Sequence, residues 1–578
     1  MSKFEMYVEA NYSLPKDNWG WNLYGAGLEN FGKDGKPEAF PVPEPSDDQM
    51  LVRVDSVGIC FSDIKILKQG RKHPKLYNRD LKKEPGRLGH EVSLTIIKVG
   101  KNLQADFKQG QRYAVQPDVY QNGMSTAYGY TIPGGLIQYH LIGREMLETD
   151  TGVCLLPLKG EISYGAASLL EPWGCVLAAY TQRRRLEPKP GGNMWIVGRK
   201  GDERVYRFSK GLDTPELIVL TDVPEEIRKQ AEATSAKVIV RDGLTLDDYA
   251  AVSEEWTEGA GFDDIVVLDP RSADAVAAIS RLVARRGTMN LVGQTPLDGQ
   301  VGVDVGRLHY DYIALLGNPG PDIADSYGEA HNRCELKPQG TAVFIGAGGP
   351  MGQMHVQRAL EMPDGPQVLV ATEISQERLD ALKTQFQSLA AEKGREIHII
   401  NPMDVKPSLN DFVMELTGGK GADDVVVSVP VGPVMSEAAG LMNEDGMFVA
   451  FAGMPVGTLA PVNMSNIYLH RAQFTGTSGL TFQDQKAVLD RSNEGQLSPG
   501  RMVAAIGGIE TASEALQGVM DGRFPGKIVV FPQIHDLPLM GLDELAEKLP
   551  EVAEKLNIGN VWTIEAEAAL IEKCWQNE

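Results

Sequence analysis

The sequence has 578 residues, of which 42% are hydrophobic and 23% are charged, a composition typical of globular proteins. At about 100–200 residues per domain, this length predicts roughly three to four domains. The formal net charge of −22 argues against nonspecific binding to nucleic acid or to an anionic membrane, although a local basic pocket remains compatible with it.

No targeting signal is expected from the N-terminal segment. MSKFEMYVEANYSLPKD lacks an apolar stretch behind a basic start, so no secretory signal peptide is expected. No run of about 18 uncharged apolar residues predicts a membrane span. The five cysteines are odd in number and have no framework spacing, which favours a reducing compartment. We therefore expect a cytoplasmic protein.

The N-terminal region contains three short segments with metal-ligating side chains. Cys60 lies in VGICFSDIKI, His90 and Glu91 lie in LGHEVSL, and Glu171 lies in LLEPWGCVLAAY. Zinc binds thiolate, imidazole and carboxylate groups, and a catalytic zinc site keeps one position open. A lone cysteine of this kind is most often a core residue. The three segments together predict a zinc site formed by Cys60, His90 and Glu171.

A strongly basic segment separates the first two of these ligand segments. Residues 65–89, KILKQGRKHPKLYNRDLKKEPGRLG, contain nine lysines and arginines against only Asp80 and Glu84. Lysine and arginine bind phosphate well, so a sugar phosphate is one expected ligand. A solvated loop is the alternative, because most charge runs are of that kind.

Two long segments repeat each other at an offset near 160 residues. In each copy, short β-branched runs alternate with helix-length stretches, which predicts parallel strands joined by crossover helices. We therefore expect two successive doubly wound domains, at 181–335 and 336–500. The matching pairs are GFDDIVVLD (261–269) with GADDVVVSV (421–429), GTMNLVG (287–293) with GMFVAFAG (446–453), and VDVGRLHYDYIALLGNPG (303–320) with VNMSNIYLHRAQFTGTSG (462–479).

The second copy begins with a glycine-rich turn between a predicted strand and a predicted helix, GTAVFIGAGGPMGQMHVQRALEM. Glycines there allow a tight turn and the approach of a pyrophosphate, whose charge the helix N-terminus favours. An acidic residue ends the next strand about 20 residues on, where it can accept from both ribose hydroxyls and repel a 2′-phosphate. NAD is therefore favoured over NADP, and a glycine turn without a ligand is the alternative. The predicted cofactor-binding residues are Gly346, Gly348, Gly349, Pro350, Met351, Gly352 and Glu373.

The first copy has a damaged version of this turn, GRKGDERVY, in which Arg204 stands where the second copy has Gly352. A bulky side chain there should block close packing of helix on strand and the approach of a pyrophosphate. Asp222 keeps the acidic position. Two interpretations follow: a domain retained for structure alone, or a site for a different anion held by Arg199 and Lys200.

The segments GICFSD, GHE and EP, followed by a nucleotide-binding segment, resemble the zinc-dependent medium-chain dehydrogenases. The closer resemblance is to the polyol branch, which includes sorbitol dehydrogenase and L-sorbose-1-phosphate reductase. The segment GGIETASEALQGVMDGRFPGKIVVFP looks like that family's ending, so the resemblance covers most of residues 45–532. It implies an α/β protein with a GroES-like β-rich catalytic domain at 1–180, completed by about 501–535. An ordinary member of the family lacks a second nucleotide-binding domain, so the two tandem Rossmann-like doubly wound domains indicated by the repeat, the first of them degenerate, depart from the family pattern.

The resemblance also implies a role for each ligand segment. Cys60, His90 and Glu171 would hold a catalytic zinc. Glu91 would lie behind them or exchange with one of them, and Ser62 would begin the proton relay. The family's structural-zinc lobe of four close cysteines is missing from QPDVYQNGMSTAYGYTIPGG, so one zinc per chain and no structural zinc are expected.

These residues predict a zinc- and NAD-dependent oxidoreductase that interconverts a secondary alcohol and a ketone of a polyol, sugar or sugar phosphate. The alternatives are a redox-neutral epimerase or lyase with tightly bound NAD, and a non-catalytic sugar or nucleotide sensor. We expect no nucleic-acid or membrane partner. Which copy faces the zinc is open, although the glycines favour the second.

The expected assembly is a monomer or a homodimer. The two Rossmann-like domains could pair edge to edge as an internal pseudo-dimer, which would cover their exposed strands. Asp63 is expected to orient a neighbouring residue. Residues 536–578 read as a C-terminal tail of two amphipathic helices.

Overall fold

Short runs rich in valine, isoleucine and leucine form most of the strands, because such side chains favour the extended backbone. The computed structural model describes residues 2–181 and 183–576. In chain order, the strands are β1 (Asp17–Gly20), β2 (Glu38–Pro41), β3 (Met50–Gly58), β4 (Glu91–Val99), β5 (Arg112–Val115), β6 (Tyr120–Gln121), β7 (Met124–Ser125), β8 (Tyr139–Ile142), β9 (Leu155–Pro157), β10 (Asn193–Val197), β11 (Leu217–Thr221), β12 (Lys237–Val240), β13 (Phe262–Leu268), β14 (Val283–Val292), β15 (Val301–Asp304), β16 (Ala314–Asn318), β17 (Thr341–Ile345), β18 (Val368–Thr372), β19 (Glu396–Ile400), β20 (Ala422–Val427), β21 (Met442–Ala450), β22 (Leu459–Val462), β23 (Gln473–Gly476), β24 (Val503–Gly508), β25 (Lys527–Phe531) and β26 (Met540–Gly541).

Many helices begin at a side chain that satisfies a free backbone N–H group. Ser375, Thr481 and Thr563 each accept a hydrogen bond from the amide three residues on. The helices are α1 (Lys3–Val8), α2 (Phe61–Gln69), α3 (Arg144–Leu147), α4 (Tyr164–Ser168), α5 (Leu170–Ala178), α6 (Glu225–Glu232), α7 (Tyr249–Thr257), α8 (Ala273–Ser280), α9 (Val305–Tyr310), α10 (Pro350–Glu361), α11 (Gln376–Glu392), α12 (Leu409–Leu416), α13 (Gly432–Ala439), α14 (Ser465–Leu469), α15 (Phe482–Asn493), α16 (Ala512–Asp521), α17 (Leu545–Lys548), α18 (Pro550–Ala553) and α19 (Ile564–Cys574). Within the described ranges, no helix has the length and apolar character that crossing a bilayer requires.

The first of two units consists of Met1–Leu177 and Gly479–Glu578. Its main sheet has the order β26-β24-β25-β3-β4-β5-β9, and β8 also pairs with β3. Every residue of β3 is buried, as befits a central strand. The antiparallel pairing of β25 with β3 joins Val530 to Val57, so the N-terminal and C-terminal parts of the chain share one core.

The C-terminal segment differs from the predicted pair of helices. Met540–Gly541 adds the strand β26 to the main sheet. The first predicted helix is broken into α17 and α18 at Leu549, which has φ −140° and ψ 65°. Leu549 precedes Pro550, and proline disfavours the helical conformation of the residue before it. The second predicted helix forms as α19.

The second unit, Ala178–Ser478, contains a twelve-stranded sheet. The strand order is β12-β11-β10-β13-β14-β16-β23-β21-β20-β17-β18-β19. Counted from either edge, six parallel strands follow the order 3-2-1-4-5-6, which is typical of doubly wound dinucleotide-binding folds. We refer to residues 193–318 as the first half and to residues 341–476 as the second half.

The two halves meet at the centre of this sheet. Strand β16 pairs antiparallel with β23, with Leu315 opposite Phe474. Strands β15 and β22 form a separate antiparallel pair that also links the halves. One apolar cluster extends from Trp195 in the first half to Phe448 in the second, so the halves share a core.

The halves differ at their first crossover. In the second half, β17 leads through a turn into α10 and then β18. In the first half, residues 198–216 run from β10 to β11 without a helix. Gly352 packs so closely on the turn that a Cβ atom there would collide with the carbonyl oxygen of Gly346, and Arg204 occupies the matching position. The sequence predicted a damaged turn, and the structure lacks the helix as well.

Candidate metal centre and nucleotide cleft

Asp63 fixes the loop that carries the candidate metal-binding cysteine. Cys60 lies between β3 and α2, and its N–H donates to Asp63 Oδ2 at 3.0 Å. The N–H of Gly89 donates to Asp63 Oδ1 at 3.1 Å, and the same oxygen lies 3.4 Å from His90 Nδ1. A carboxylate in this position would orient the imidazole toward a metal.

Three candidate ligands come together where β3, α2 and β4 meet. Cys60 Sγ, a ring nitrogen of His90 and a carboxylate oxygen of Glu91 lie within 4.8 Å of one another. Among the described residues, Glu91 Oε2 is buried and has no hydrogen-bond partner, which leaves it free to accept. A thiolate, an imidazole and a carboxylate form a donor set that zinc takes readily, so the residues present fit this metal.

The charge of Asp63 dominates the electrostatics of His90. Burial alone would lower the pKa of His90, but the Asp63 carboxylate raises the pKa well above its usual value. Burial would likewise raise the pKa of Asp63, yet His90 and the two backbone N–H groups hold that pKa below its usual value. Asp63 therefore stays negatively charged beside the ring.

Glu171 lies in the first turn of α5 and is buried. Its carboxylate is not part of the group formed by Cys60, His90 and Glu91, whose ligand atoms lie within 4.8 Å of one another. Burial raises the pKa of Glu171 to about 7, and the charges of His90 and Glu91 also act on it. Glu171 therefore belongs to the same electrostatic centre, as a carboxyl group that burial disfavours in its charged form.

Lys527 is a member of this centre that the sequence patterns did not reveal. It begins β25, and its Nζ lies 2.5 Å from Glu91 Oε1, with both side chains buried. The pairing raises the pKa of Lys527 although burial acts in the opposite direction. The one signal in the sequence is a lysine at the start of the apolar strand KIVVF, which does not indicate its partner.

Most of the basic residues in the segment 65–89 are exposed. Arg79 is half-buried and donates to the carbonyl oxygens of Tyr130 and Thr131 at 3.1 and 3.0 Å. Arg87 is also half-buried and donates to Asn22 at 3.0 Å. Six basic residues of the segment are exposed: Lys65, Lys68, Arg71, Lys72, Lys82 and Lys83.

Lys75 is the remaining basic residue, and its amine contacts Asp118 and the ring of Tyr130. Its Nζ lies 3.3 Å from Asp118 Oδ1 and 4.8 Å from the ring centroid of Tyr130. The Tyr130 ring in turn lies 5.6 Å from the ring of His90. Burial would lower the pKa of Lys75, but Asp118 raises it above its usual value, so the amine is charged. Ser62 is half-buried in the first turn of α2.

The second half contains a cleft of about 1120 Å³ at the carboxyl ends of its strands. Gly346 has φ 74°, a left-handed conformation that glycine adopts without strain. Gly349 precedes α10, and Pro350 and Met351 are its first two residues. Gly352 allows α10 to approach the turn, as described above. The predicted glycines therefore form a helix N-terminus that opens on this cleft.

Glu373 lies on the wall of the cleft. Its Oε1 accepts hydrogen bonds from the N–H groups of Ile374 and Ser375, at 2.7 and 3.1 Å. Its Oε2 faces Gly348, where a Cβ atom would collide with it. Two basic residues, Arg378 and Lys406, also line the cleft. In the first half, the matching Asp222 accepts a hydrogen bond from the N–H of Gly243 at 3.0 Å.

Two family models match the chain, the alcohol dehydrogenase GroES-like domain at residues 46–148 and the zinc-binding dehydrogenase at residues 350–494. The chain thus carries matches to both domains of the zinc-type medium-chain dehydrogenases. It is an α/β enzyme with a GroES-like and a Rossmann-like domain. The resemblance drawn from the ligand segments and the prediction of an enzyme are thereby confirmed.

Relatives of this dehydrogenase align along nearly its whole length. Mannitol-1-phosphate 5-dehydrogenase of Aliivibrio fischeri is 23% identical over 551 residues, covering 93% of this chain and 95% of the relative. L-sorbose 1-phosphate reductase of Klebsiella pneumoniae is 24% identical over 552 residues, covering 94% and 96%. The crystal structure of 2R,3R-butanediol dehydrogenase from Bacillus subtilis matches with a TM-score of 0.50 at 16% identity, covering 89% and 99%, and this likeness shows the fold.

Proposed function

We propose that this dehydrogenase uses zinc and NAD to interconvert a secondary alcohol and a ketone of a polyol or sugar phosphate. The observation that carries the proposal is the approach of Cys60, His90 and Glu91 to within 4.8 Å in a chain of the zinc-binding dehydrogenase family. Two relatives that align over nearly the whole chain are named for mannitol 1-phosphate and L-sorbose 1-phosphate. These names support a phosphorylated substrate.

Cys60, His90 and Glu171 would hold one zinc per chain. Glu91 Oε1 is held by Lys527 at 2.5 Å, whereas its Oε2 has no partner among the described residues, so Glu91 would lie behind these ligands or exchange with Glu171 through Oε2. The cysteines are spread over positions 60, 154, 175, 334 and 574, and a lobe of four close cysteines for a second zinc is absent from the sequence.

The chemistry is divided between the bound groups and the chain. When bound, zinc supplies Lewis acidity, which eases the loss of a proton from a substrate hydroxyl and polarises a carbonyl in reverse. NAD supplies the acceptor for the hydride. Ser62, in the first turn of α2, would take the hydroxyl proton and pass it to solvent. Asp63 would keep His90 oriented, and Lys527 would restrain Glu91.

The nicotinamide cofactor would bind in the cleft of the second half. The N-terminus of α10 and the glycines Gly346, Gly349 and Gly352 suit a pyrophosphate. Glu373 has one oxygen bonded to backbone and a second turned toward Gly348, an arrangement that favours the ribose hydroxyls of NAD. Arg378 would favour the 2′-phosphate of NADP instead, so both cofactors belong in the binding test.

The two halves of the large sheet would be two copies of one dinucleotide-binding domain. Their shared strand order and the repeat near 160 residues support this. Family members often pair such domains edge to edge between subunits. The antiparallel contact of β16 with β23 supports an equivalent arrangement inside one chain, an internal pseudo-dimer.

Turnover of a polyol phosphate tests the proposal directly. The purified protein would be assayed for zinc content and for NADH formation with mannitol 1-phosphate, arabitol phosphate and the free polyols. We expect about one zinc per chain and NADH formation with a phosphorylated polyol. A zinc-free protein would contradict the metal centre. Stoichiometric copurified NAD with no net NADH would indicate a redox-neutral reaction instead.

A further inference from the structure

The carboxyl-terminal edge of the first half carries arginines where the second half has its glycine turn. Arg199 and Arg204 follow β10, and Arg271 follows β13. Asp269, the residue directly after β13, lies among them and is buried. We call these four residues the arginine cluster. Ligands of doubly wound sheets usually bind at this carboxyl-terminal edge.

The arginine cluster holds three guanidinium groups around a single carboxylate. Arg199 Nη2 lies 2.6 Å from Asp269 Oδ2, and Arg271 Nη2 lies 2.9 Å from Asp269 Oδ1. Arg204 Nη1 is 3.8 Å from Asp269 Oδ1, too far for a hydrogen bond. One negative charge therefore faces three positive charges, in a chain whose formal net charge is −22.

Arg204 is held in place by contacts other than the carboxylate. Its Nη2 donates to the carbonyl oxygen of Pro319 at 2.9 Å, and its guanidinium lies 5.1 Å from the ring centroid of Tyr206. Its Nη1 is buried, and no hydrogen-bond partner for it exists in the described part of the chain. A buried charged donor without an acceptor is unfavourable, and a bound anion would supply the acceptor.

The other two arginines are open to solvent. The side chains of Arg199 and Arg271 are each 42% exposed, and each guanidinium has five N–H groups. A second carboxylate nearby, that of Asp202, is already engaged by the Tyr206 hydroxyl at 2.7 Å and by the N–H of Arg204 at 3.1 Å. The cluster thus presents unused donors and an excess of positive charge to the solvent.

We propose that the arginine cluster binds a phosphate group, either inorganic phosphate or the phosphate of a small ester. Guanidinium groups match phosphate oxygens in pairs of parallel hydrogen bonds. The first half has lost the helix N-terminus that attracts a pyrophosphate, and the arginines replace it with a site for a smaller and more compact anion. The site is additional to the metal centre and does not depend on the proposed reaction.

Calorimetric titration of the full zinc-loaded chain with inorganic phosphate tests this site, with NAD present to fill the cleft of the second half. Arg204→Met should weaken phosphate binding at least about tenfold, the loss expected for a charge-assisted hydrogen bond. Arg271→Met should weaken it similarly, which guards against misfolding of one variant. The control is Arg241→Met, whose arginine pairs with Glu255 at 2.8 Å elsewhere in the first half, and it should bind phosphate like the wild type.

The carboxylate provides an opposite test. Asp269→Asn removes the competing negative charge and should tighten phosphate binding. Glycerol 3-phosphate, titrated in parallel, separates the two sources, because tighter binding than phosphate would identify an ester as the ligand. Absence of saturable binding to the wild type, or equal affinities in Arg204→Met and Arg241→Met, would mean that the arginines only neutralise Asp269.

Discussion

Lys75 illustrates how one residue of a charged segment can differ from its neighbours. Six of the nine basic residues in 65–89 are exposed, and Arg79 and Arg87 are bound to other parts of the fold. Lys75 is left beside Tyr130, which packs on His90. The sequence left open whether the segment binds phosphate or is solvated. Lys75 also pairs with Asp118, but its amine is charged and lies beside the Tyr130 ring, so we infer that it is the residue of this segment that would contact a substrate phosphate.

Lys75→Met should therefore lower kcat/KM for a polyol phosphate by about 10- to 100-fold, because a charge-assisted hydrogen bond contributes roughly 1.5–3 kcal/mol. The value for the matching free polyol should change little. Lys83→Met, which alters an exposed lysine of the same segment, is the control. Equal losses with the phosphorylated and the free polyol would contradict phosphate recognition by Lys75.

Lys527 makes a buried ion pair, for which loss of one partner is expensive. Lys527→Met would leave the Glu91 carboxylate buried without a counter-charge and should lower the free energy of unfolding by about 3–5 kcal/mol. Lys548→Met breaks an exposed pair with Glu544 and should cost less than about 1 kcal/mol. Urea denaturation measures both. If Glu91→Gln fails to restore any of the stability lost in Lys527→Met, the pair is not the cause.

The predicted ligands each lie in a short pattern of their own, and the structure brings two of them, Cys60 and His90, together with Glu91. Cys60, His90 and Glu171 are recognisable from GIC, GHE and LEP. Lys527 lies 436 positions from its partner Glu91, and the antiparallel pairings of β25 with β3 and of β3 with β4 bring them together. Contacts of this kind depend on the tertiary fold, which local patterns do not encode.

Among the elements, α10 is buried along most of its length, including its polar residues Gln353, His355, Gln357 and Arg358. His355 Nδ1 lies 2.6 Å from the Tyr180 hydroxyl. Burial, aided by the charge of Arg358, lowers the pKa of His355 to about 3. Its neutral form is therefore the one that the fold accommodates.

This burial predicts a loss of stability in mild acid. In the unfolded chain His355 has a pKa of about 6.5, so the unfolded state binds a proton that the folded state rejects. Neutral, buried His355 makes a contribution to the free energy of unfolding that is fully present above about pH 6.5 and is lost as the pH falls toward 3. The loss between pH 7 and pH 5 amounts to about 2 kcal/mol. His355→Gln should lose correspondingly less stability in urea over that range, and His398→Gln, at a more exposed site, should behave like the wild type. An identical pH dependence in all three proteins would contradict this account.

The elements that escaped prediction have local physical causes. The segment 198–216 has the length of a turn and helix, but Arg204 replaces the glycine that lets a helix approach the strand. The tail contains Pro550 in an otherwise helical pattern, and the helix breaks at the residue before it. Amphipathic spacing indicated two helices in the tail, whereas a crossover helix in the first half followed only from the alternation of strands and helix-length stretches in each copy.

At the scale of the whole molecule, the central feature is the joined twelve-stranded sheet. The repeat in the sequence predicted two doubly wound domains, and the observed strand order has the same 3-2-1-4-5-6 sequence from either edge. The sequence could suggest edge-to-edge pairing but not its register, which depends on the packing of both halves around one core.

An edge that is already paired within the chain is unavailable for pairing between chains. We therefore expect a monomer in solution, with a mass near 62.9 kDa by light scattering. The mass should not rise with protein concentration or on addition of NAD. A stable dimer of twice that mass would contradict the internal pseudo-dimer as a substitute for subunit pairing.

The most direct test of where the cofactor binds is calorimetric titration of Gly352→Arg with NAD. This substitution copies the turn of the first half into the second. Gly352→Arg should lose NAD binding while it retains zinc, and Arg204→Gly, the reverse change in the first half, should bind NAD like the wild type. Parallel titration with NADP shows which cofactor Glu373 admits. Unchanged NAD affinity in Gly352→Arg would contradict the account and would move the cofactor to Gly198, Gly201 and Asp222 in the first half.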